Sequence, residues 1–350
     1  MWTTVPRSLR SLGSATQRMR NAWDRRARSD ARRFIETGQS ASEHSFWDSG
    51  RRDLDDLVLR GLTLEPSAAV LEIGCGIGRL LKPLSERVAR ALGVDISGEM
   101  IRLGRGALAD RPNVRLERTD GDLSAAEDGS LDLVYSYIVF QHVPARTAVS
   151  RYFAEAARVL KPGGVFRFQL DGRHGRWYPF PDTWHGVRFA AGALKREMAA
   201  LGFEVVDLTG EGTQYMWVTA RRTGNGGHDD TRAVRVARRR WDADALDRLL
   251  SRLGRSPSAE RDRVESGAVS LKALSGEWLE RHEFGRPADF VAAAYRTVLG
   301  REPDSDGLSF YAGRVEDGLP REEMLDCLLA SAELDRTLRP VVSMPSSDGP

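Results

Sequence analysis

The segment Val70-Leu71-Glu72-Ile73-Gly74-Cys75-Gly76-Ile77-Gly78 constrains this chain more than any other. The apolar run from Ala68 to Ile73 reads as a buried strand. It enters three glycines at alternate positions, and a helical period follows from about Gly78 to Arg87. Glycines between a strand and a helix let the backbone turn sharply and approach a ligand with no Cβ in the way. That context separates a nucleotide-type loop from an ordinary tight turn.

The alternation continues downstream. Strand-like runs lie at 89–95, 113–120, 131–137 and 164–171, with helical periods at 98–107, 148–160 and 193–202. Lys161-Pro162-Gly163-Gly164 stops the second of these helices. Two last strands, FEVVDLTG and QYMWVTAR, flank Glu211-Gly212-Thr213 as a hairpin-like edge. The pattern predicts an α/β fold with a parallel, doubly wound sheet. TGNGGHDD (223–230) is a polar, Gly-rich linker, and residues 231–340 are nearly all helical in period, with no strand-like run. The expected organisation is a basic helical arm (1–45), an α/β domain (46–222), the linker, a small all-α domain (231–340) and a disordered tail (341–350).

The loop chemistry narrows the ligand. A dinucleotide fingerprint needs glycine at position 79, where Arg79 stands, and no G-K-[ST] of a P-loop follows. Glu72 places an acid near the strand end, which suits a cationic, zwitterionic ligand such as S-adenosylmethionine (SAM) better than a diphosphate. Asp95 ends the second strand, where a carboxylate can accept from both ribose hydroxyls. Ile96 and Met100 can flank a purine ring, although helix core also explains Met100. After the third strand come Thr119-Asp120-Gly121-Asp122. Asp120 with Gly121 fits an adenine edge best, Asp122 is the alternate, and an Asp-Gly turn is the plain account.

Together these segments resemble the class I SAM-dependent methyltransferases, in the broad small-molecule group that includes ubiquinone/menaquinone-like and sugar enzymes. VLEIGCGIGRL, LGVDISGEM, DGSLDLVYSYIVFQHV (128–143) and LKPGGVF (160–166) match the family's segments in order. The resemblance covers about residues 45–222 and implies a Rossmann-like seven-stranded sheet with a reversed final strand. It implies that Gly74, Gly76 and Gly78 wrap the methionine and ribose parts of SAM, that Asp95 holds the ribose, that Asp120 reads adenine, and that Gln141 lies beside the cofactor.

Methyl transfer to a hydroxyl benefits from a base. His142 follows the fourth strand at the carboxyl edge of the sheet, where ligands bind in open α/β folds. His174 and His185 are rival bases, in a loop that also carries Arg173, Arg176, Trp177, Tyr178 and Trp184. Aromatics and cations in one loop suit a sugar ring or a flat, acidic acceptor, or simply pack the loop onto the fold. No metal is indicated. The Asn/Asp-Pro-Pro-aromatic loop of duplex-DNA amino-methyltransferases is replaced by Tyr135-Ser136-Tyr137-Ile138.

Hydrophobic residues at 41% support a real core, and a net charge of +2 gives the whole chain no polycation field. The charge is uneven, however: Arg7, Arg10, Arg18, Arg20, Arg25, Arg26, Arg28, Arg32 and Arg33 face only Asp24 and Asp30 in residues 1–33, and Arg232–Arg240 is a second basic run. Such runs are solvated helix faces or contacts to an anionic surface. The Arg-rich start looks like a transit peptide, but a helical arm is simpler, and no secretory core or 18-residue apolar span is present. Two cysteines in different contexts fit the reducing cytoplasm. Peripheral contact at the inner membrane face is expected of the arm; nucleic acid is not an expected partner.

Tyr295, Arg296, Leu299, Gly300, Arg301, Asp304 and Gly307 resemble the signature of a bacterial helical domain of unknown function, closed by Ser331-Ala332-Glu333. Ser275-Gly276-Glu277 resembles that closing triplet and hints at a degenerate repeat. Asp304-Ser305-Asp306-Gly307 mimics a calcium loop, but the expected glutamate is misplaced, and capping explains it. Such domains accompany glycosyltransferases and surface proteins, which implies a protein-partner module in glycan assembly. The expected activity is O-methylation of a sugar or glycolipid in cell-surface glycan synthesis. The alternatives are a quinone, lipid or other small metabolite as acceptor, a SAM-binding scaffold without turnover, and an RNA methyltransferase.

Overall fold

A computed structural model describes residues 7–36, 42–173, 186–224, 233–236, 242–266, 268–329 and 331–339. Its strands are β1 (Leu62–Leu64), β2 (Ala69–Ile73), β3 (Arg90–Asp95), β4 (Val114–Arg118), β5 (Leu131–Ser136), β6 (Leu160–Leu170), β7 (Phe203–Thr209), β8 (Met216–Arg222) and β9 (Val234–Val236). The helices α1 (Arg7–Ile35), α2 (Glu43–Asp53), α3 (Leu81–Leu84), α4 (Gly98–Ala107), α5 (Arg146–Val159) and α6 (Ala191–Ala200) accompany them. The described residues divide into two compact units. One takes the residues up to Leu208 and from Trp217 to Val236; the other takes Thr209–Met216 and the later helices.

Seven strands form the α/β sheet in the order β4-β3-β2-β5-β6-β8-β7. The pairs β2–β3, β2–β5, β3–β4 and β5–β6 are parallel. Central strands of a parallel sheet are covered on both faces, so they carry continuous apolar runs. Accordingly, every residue of β2 and β5 is buried. Phe140, Phe153, Phe166 and Phe168 interlock on one side, with ring centroids 4.3–6.0 Å apart.

Three local features differ from the sequence reading. The helix expected from Gly78 to Arg87 is only the four residues of α3. Gly78 lies at φ +88°, outside helical space, and delays its start. The described part of the basic arm, α1, is a long helix kinked at Asp30 that lies in the same unit as the sheet rather than apart from it. Val234–Val236, expected to lack strand character, pairs antiparallel with Leu62–Leu64. Three residues are too few to show a period, so only the pairing reveals that strand.

The second unit contains α7 (Ala243–Arg252), α8 (Pro257–Glu265), α9 (Leu271–Glu280), α10 (Pro287–Ala294), α11 (Ser305–Glu316), α12 (Arg321–Leu329) and α13 (Ala332–Leu338). Leu246, Leu249, Leu250, Phe290, Val298 and Met324 centre its core. Two Leu-Gly-Arg triplets behave alike here. Gly254 and Gly300 both take left-handed backbone, at φ +69° and +75°. Arg255 then ion-pairs with Glu277, and Arg301 with Glu333, the second pair as a fork at 2.6 and 2.8 Å. Asp304 caps α11 by accepting from the Gly307 N–H at 2.7 Å, a role that needs no cation.

Candidate cofactor and acceptor site

The β2 strand delivers its chain to the carboxyl edge of the sheet, and the turn there is made by glycine. Gly74 has φ +75° and Gly76 +54°, both in left-handed space. A Cβ on Gly74 would stand 2.3 Å from Val139 Cγ2, and one on Gly76 2.8 Å from Ile35 Cδ1. The main chain can approach its neighbours this closely only without side chains. Beside the turn lies a cavity of about 340 Å³. Glu72, Gly74, Gly76, Asp95, Ile96, Met100, Gly121 and His142 all line it, so the structure gathers most of the sequence-chosen cofactor residues, with one of the candidate bases, at one place.

Asp95 is the best-oriented of them. It ends β3 in register with Arg118 of β4. Its Oδ2 accepts from the Gly76 N–H at 2.9 Å and its Oδ1 from the Ser97 N–H at 2.8 Å. Burial pushes the carboxyl up to about 6, those backbone donors oppose the rise, and Asp24 adds to it. An aimed carboxylate with lone pairs to spare can accept from a vicinal diol.

Glu72 and Tyr135 are neighbours across β2 and β5. The phenol donates to Glu72 Oε2 at 2.9 Å. Burial raises the Glu72 carboxyl to about 8, while the bond from Tyr135 and the nearby Arg79 charge hold it down. The folded state therefore keeps this proton over a range where an exposed glutamate has lost it. Stability from this group is full below about 4.5 and is lost as pH rises to about 8. Glu72→Gln keeps an acceptor for Tyr135 and cannot ionise. Between pH 5 and pH 8 its melting temperature should gain at least about 4 °C on wild type, as read by circular dichroism. Parallel curves would show that Glu72 does not titrate there.

Arg79 is buried, donating to Ser49 Oγ at 3.0 Å and Asp53 Oδ2 at 2.7 Å. Both Arg79 and Asp53 line the cavity. So do Tyr137, Ile138 and Val139, just past β5, and Ile138 holds φ +55°. A β-branched residue there is strained, a condition that clusters at ligand sites. The sequence reading missed Ile138, as it missed Met19, Trp23, Phe34 and Ile35 of α1, which line the same cavity.

Other chosen residues lie elsewhere. Gly78 is at φ +88° but outside the lining. Asp120 is half-exposed and ion-paired with Arg20 and, at 2.6 Å, with Arg118; its neighbour Gly121 is the one that lines the cavity. Asp122 accepts from Arg151 at 3.1 Å. Gln141 is outside the lining, and its Oε1 is buried without a hydrogen-bond partner. Arg173 folds back on Asp171 at 2.8 Å. His174, Arg176, Trp177, Tyr178, Trp184 and His185 lie outside the described residues.

Residues 71–168 match the family described as a methyltransferase domain, and residues 275–338 match a domain of unknown function, DUF4214. A trans-aconitate 2-methyltransferase of Azoarcus sp. is 36% identical over 128 residues, 36% of this chain and 47% of that protein. A ubiquinone biosynthesis O-methyltransferase of Xanthomonas oryzae pv. oryzae is 35% identical over 100 residues, 28% of this chain and 40% of that one. An uncharacterized transposon TN4556 protein of Streptomyces fradiae is 36% identical over 118 residues, 32% of this chain and 33% of that one. The chain thus spans a third to about half the length of these relatives. Glycine turn, oriented acid and matched segment agree: residues 71–168 belong to the class I SAM-dependent methyltransferases, with SAM as cofactor.

Proposed function

We propose that the chain methylates a hydroxyl of a small neutral acceptor, a sugar or glycolipid in surface-glycan synthesis. The observation that carries the reading is the convergence of the Gly74–Gly76 turn, the Asp95 carboxylate and His142 on one cavity. SAM when bound supplies an electrophilic methyl on a sulfonium, so the protein's task is to position and to exclude water. Asp95 would hold the ribose, and Glu72 with Tyr135 would sit near the methionine end. His142 would take the acceptor proton as the O–C bond forms and the S–C bond breaks.

The charge around the cavity guides the acceptor class. Among its described residues Glu36, Asp53 and Asp95 are acidic, Glu72 keeps its proton below about 8, and the single arginine, Arg79, is bound to Asp53. A tricarboxylate such as trans-aconitate would meet this acidity with no spare guanidinium among the described lining residues. A polyhydroxylated acceptor meets it with donors. Trp23, Phe34 and Tyr137 supply flat surface for a sugar face and equally favour the second reading, a quinone-like acceptor.

Exposed Arg18, Arg25, Arg28 and Arg32 along α1 suit a peripheral contact with an anionic membrane face, where a glycolipid would be met. No described helix is long and apolar enough to cross a membrane. The helical unit would serve as the protein-partner module.

The test is release of S-adenosylhomocysteine with nucleotide sugars, glycolipids, quinone precursors and trans-aconitate. Turnover with a sugar or glycolipid is expected, and His142→Ala should lower kcat about 100-fold or more with little change in SAM affinity. SAM binding with no turnover on any acceptor would leave the scaffold reading instead.

A further inference from the structure

The matched methyltransferase segment begins at residue 71, yet one wall of the cavity comes from α1. That helix is fastened at its polar positions. Asp24 Oδ1 accepts from Ser97 Oγ at 2.6 Å and from the Glu99 N–H at 3.2 Å. Both donors stand at the N-terminus of α4, a ten-residue helix whose first amides carry partial positive charge. Ser97 is fully buried, and its Oγ also accepts from the Met100 N–H at 3.1 Å. Its own N–H donates to Asp95 Oδ1 at 2.8 Å. One serine therefore joins the carboxylate assigned to the ribose to the Asp24 carboxylate of the covering helix, which lies 73 residues before the serine.

The neighbouring contacts run the same way. Arg20, one turn before Asp24, ion-pairs with Asp120. Trp23 meets His142 edge-on, with centroids 5.8 Å apart. Ala27 and Ala31 pack with Ile77 and Met100, while Trp23 and Ile35 pack against that cluster. The helix thus covers the turn, the ribose acid and the candidate base together.

We propose that α1 is a latched lid on the cofactor site and that Asp24 is its positioning residue. With side chains from α1 in the cavity wall, exchange of cofactor requires the helix to lift, and the Asp24–Ser97–Asp95 chain sets how often it does. Because Ser97 touches both acids, a ligand on Asp95 steadies the latch, and the latch steadies the ligand's site. The cofactor half of this proposal rests on the SAM reading above.

Two measurements on the full chain test it. In the free protein, Asp24→Ala should speed amide hydrogen exchange about tenfold in residues 74–78 and 97–101, with residues 131–136 of the central strand unchanged, if charge-assisted hydrogen bonds hold the lid. Asp24→Asn keeps a side-chain acceptor and should show a third of that effect or less. Stopped-flow displacement of SAM should then show dissociation about tenfold faster in Asp24→Ala, for the same lost bonds. Unchanged exchange in 74–78 and 97–101, or acceleration spread evenly over the sheet, overturns the lid. Local acceleration in a protein that binds no SAM would uphold the lid and remove the cofactor reading instead.

Discussion

Asp95→Ala should weaken SAM binding by at least about 100-fold while leaving the fold intact. The variant removes a carboxylate that closes β3 and is aimed by two backbone donors, Gly76 N–H and Ser97 N–H. With the ligand bound, alanine would strand those two amides and two ribose hydroxyls in a buried place. Each buried polar group left without a partner costs about 1–3 kcal/mol, and about 2.7 kcal/mol already amounts to 100-fold. Calorimetric titration of both proteins reads the difference. The wild type should show its own signature against pH. Its Asp95 carboxyl is raised to about 6, and the ionised form is the better acceptor for ribose. SAM affinity should hold above pH 7 and fall as pH drops through about 6, approaching tenfold per unit below it. A variant that binds within threefold of wild type would take the ribose away from Asp95.

Much of this site was legible because its signals are local. A strand that ends in Gly-x-Gly states its own geometry, since left-handed backbone at Gly74 and Gly76 is a property of three consecutive residues. Asp95 was legible for the same reason, as an acid placed where a buried strand runs out. The α1 wall was not legible. Trp23, Phe34 and Ile35 look like the apolar stripe of any amphipathic helix, and nothing near Asp24 in sequence names Ser97 as its partner. Their meaning arises from a contact between segments more than 70 residues apart. Asp120 shows what position in the sequence leaves out. An acid after the third strand suits adenine by position, but Arg118 two residues before it and Arg20 on α1 engage its carboxylate. The Leu-Gly-Arg and Ser-x-Glu triplets of the helical unit were visible as text. Only the pairs Arg255–Glu277 and Arg301–Glu333 show that each arginine seeks the glutamate of its own triplet.

Gly74→Ala should damage both stability and cofactor binding. Its φ of +75° lies where an L residue pays for its Cβ against the following carbonyl, about 1–2 kcal/mol. The added carbon would also stand 2.3, 2.7 and 3.0 Å from Val139 Cγ2, Cγ1 and Cβ. Val139 has little room to retreat. It follows Ile138, itself at φ +55°, and precedes Phe140, which is fully buried against Phe153 and Phe168. Overpacking of this kind costs about 1–3 kcal/mol more. The sum, roughly 3 kcal/mol, predicts a fall in melting temperature of about 6 °C or more for a unit of this size. Any relaxation that moves Val139 also moves His142, because the Val139 carbonyl accepts from the His142 N–H at 2.9 Å. SAM affinity and turnover should therefore fall together. The double variant Gly74→Ala/Val139→Ala removes the two Cγ contacts but keeps the backbone strain, so it should recover part of the melting temperature and not all of it. A single variant melting within about 1 °C of wild type would mean that the turn can take another shape, and the close approach of main chain to ligand inferred at Gly74 would have to be given up.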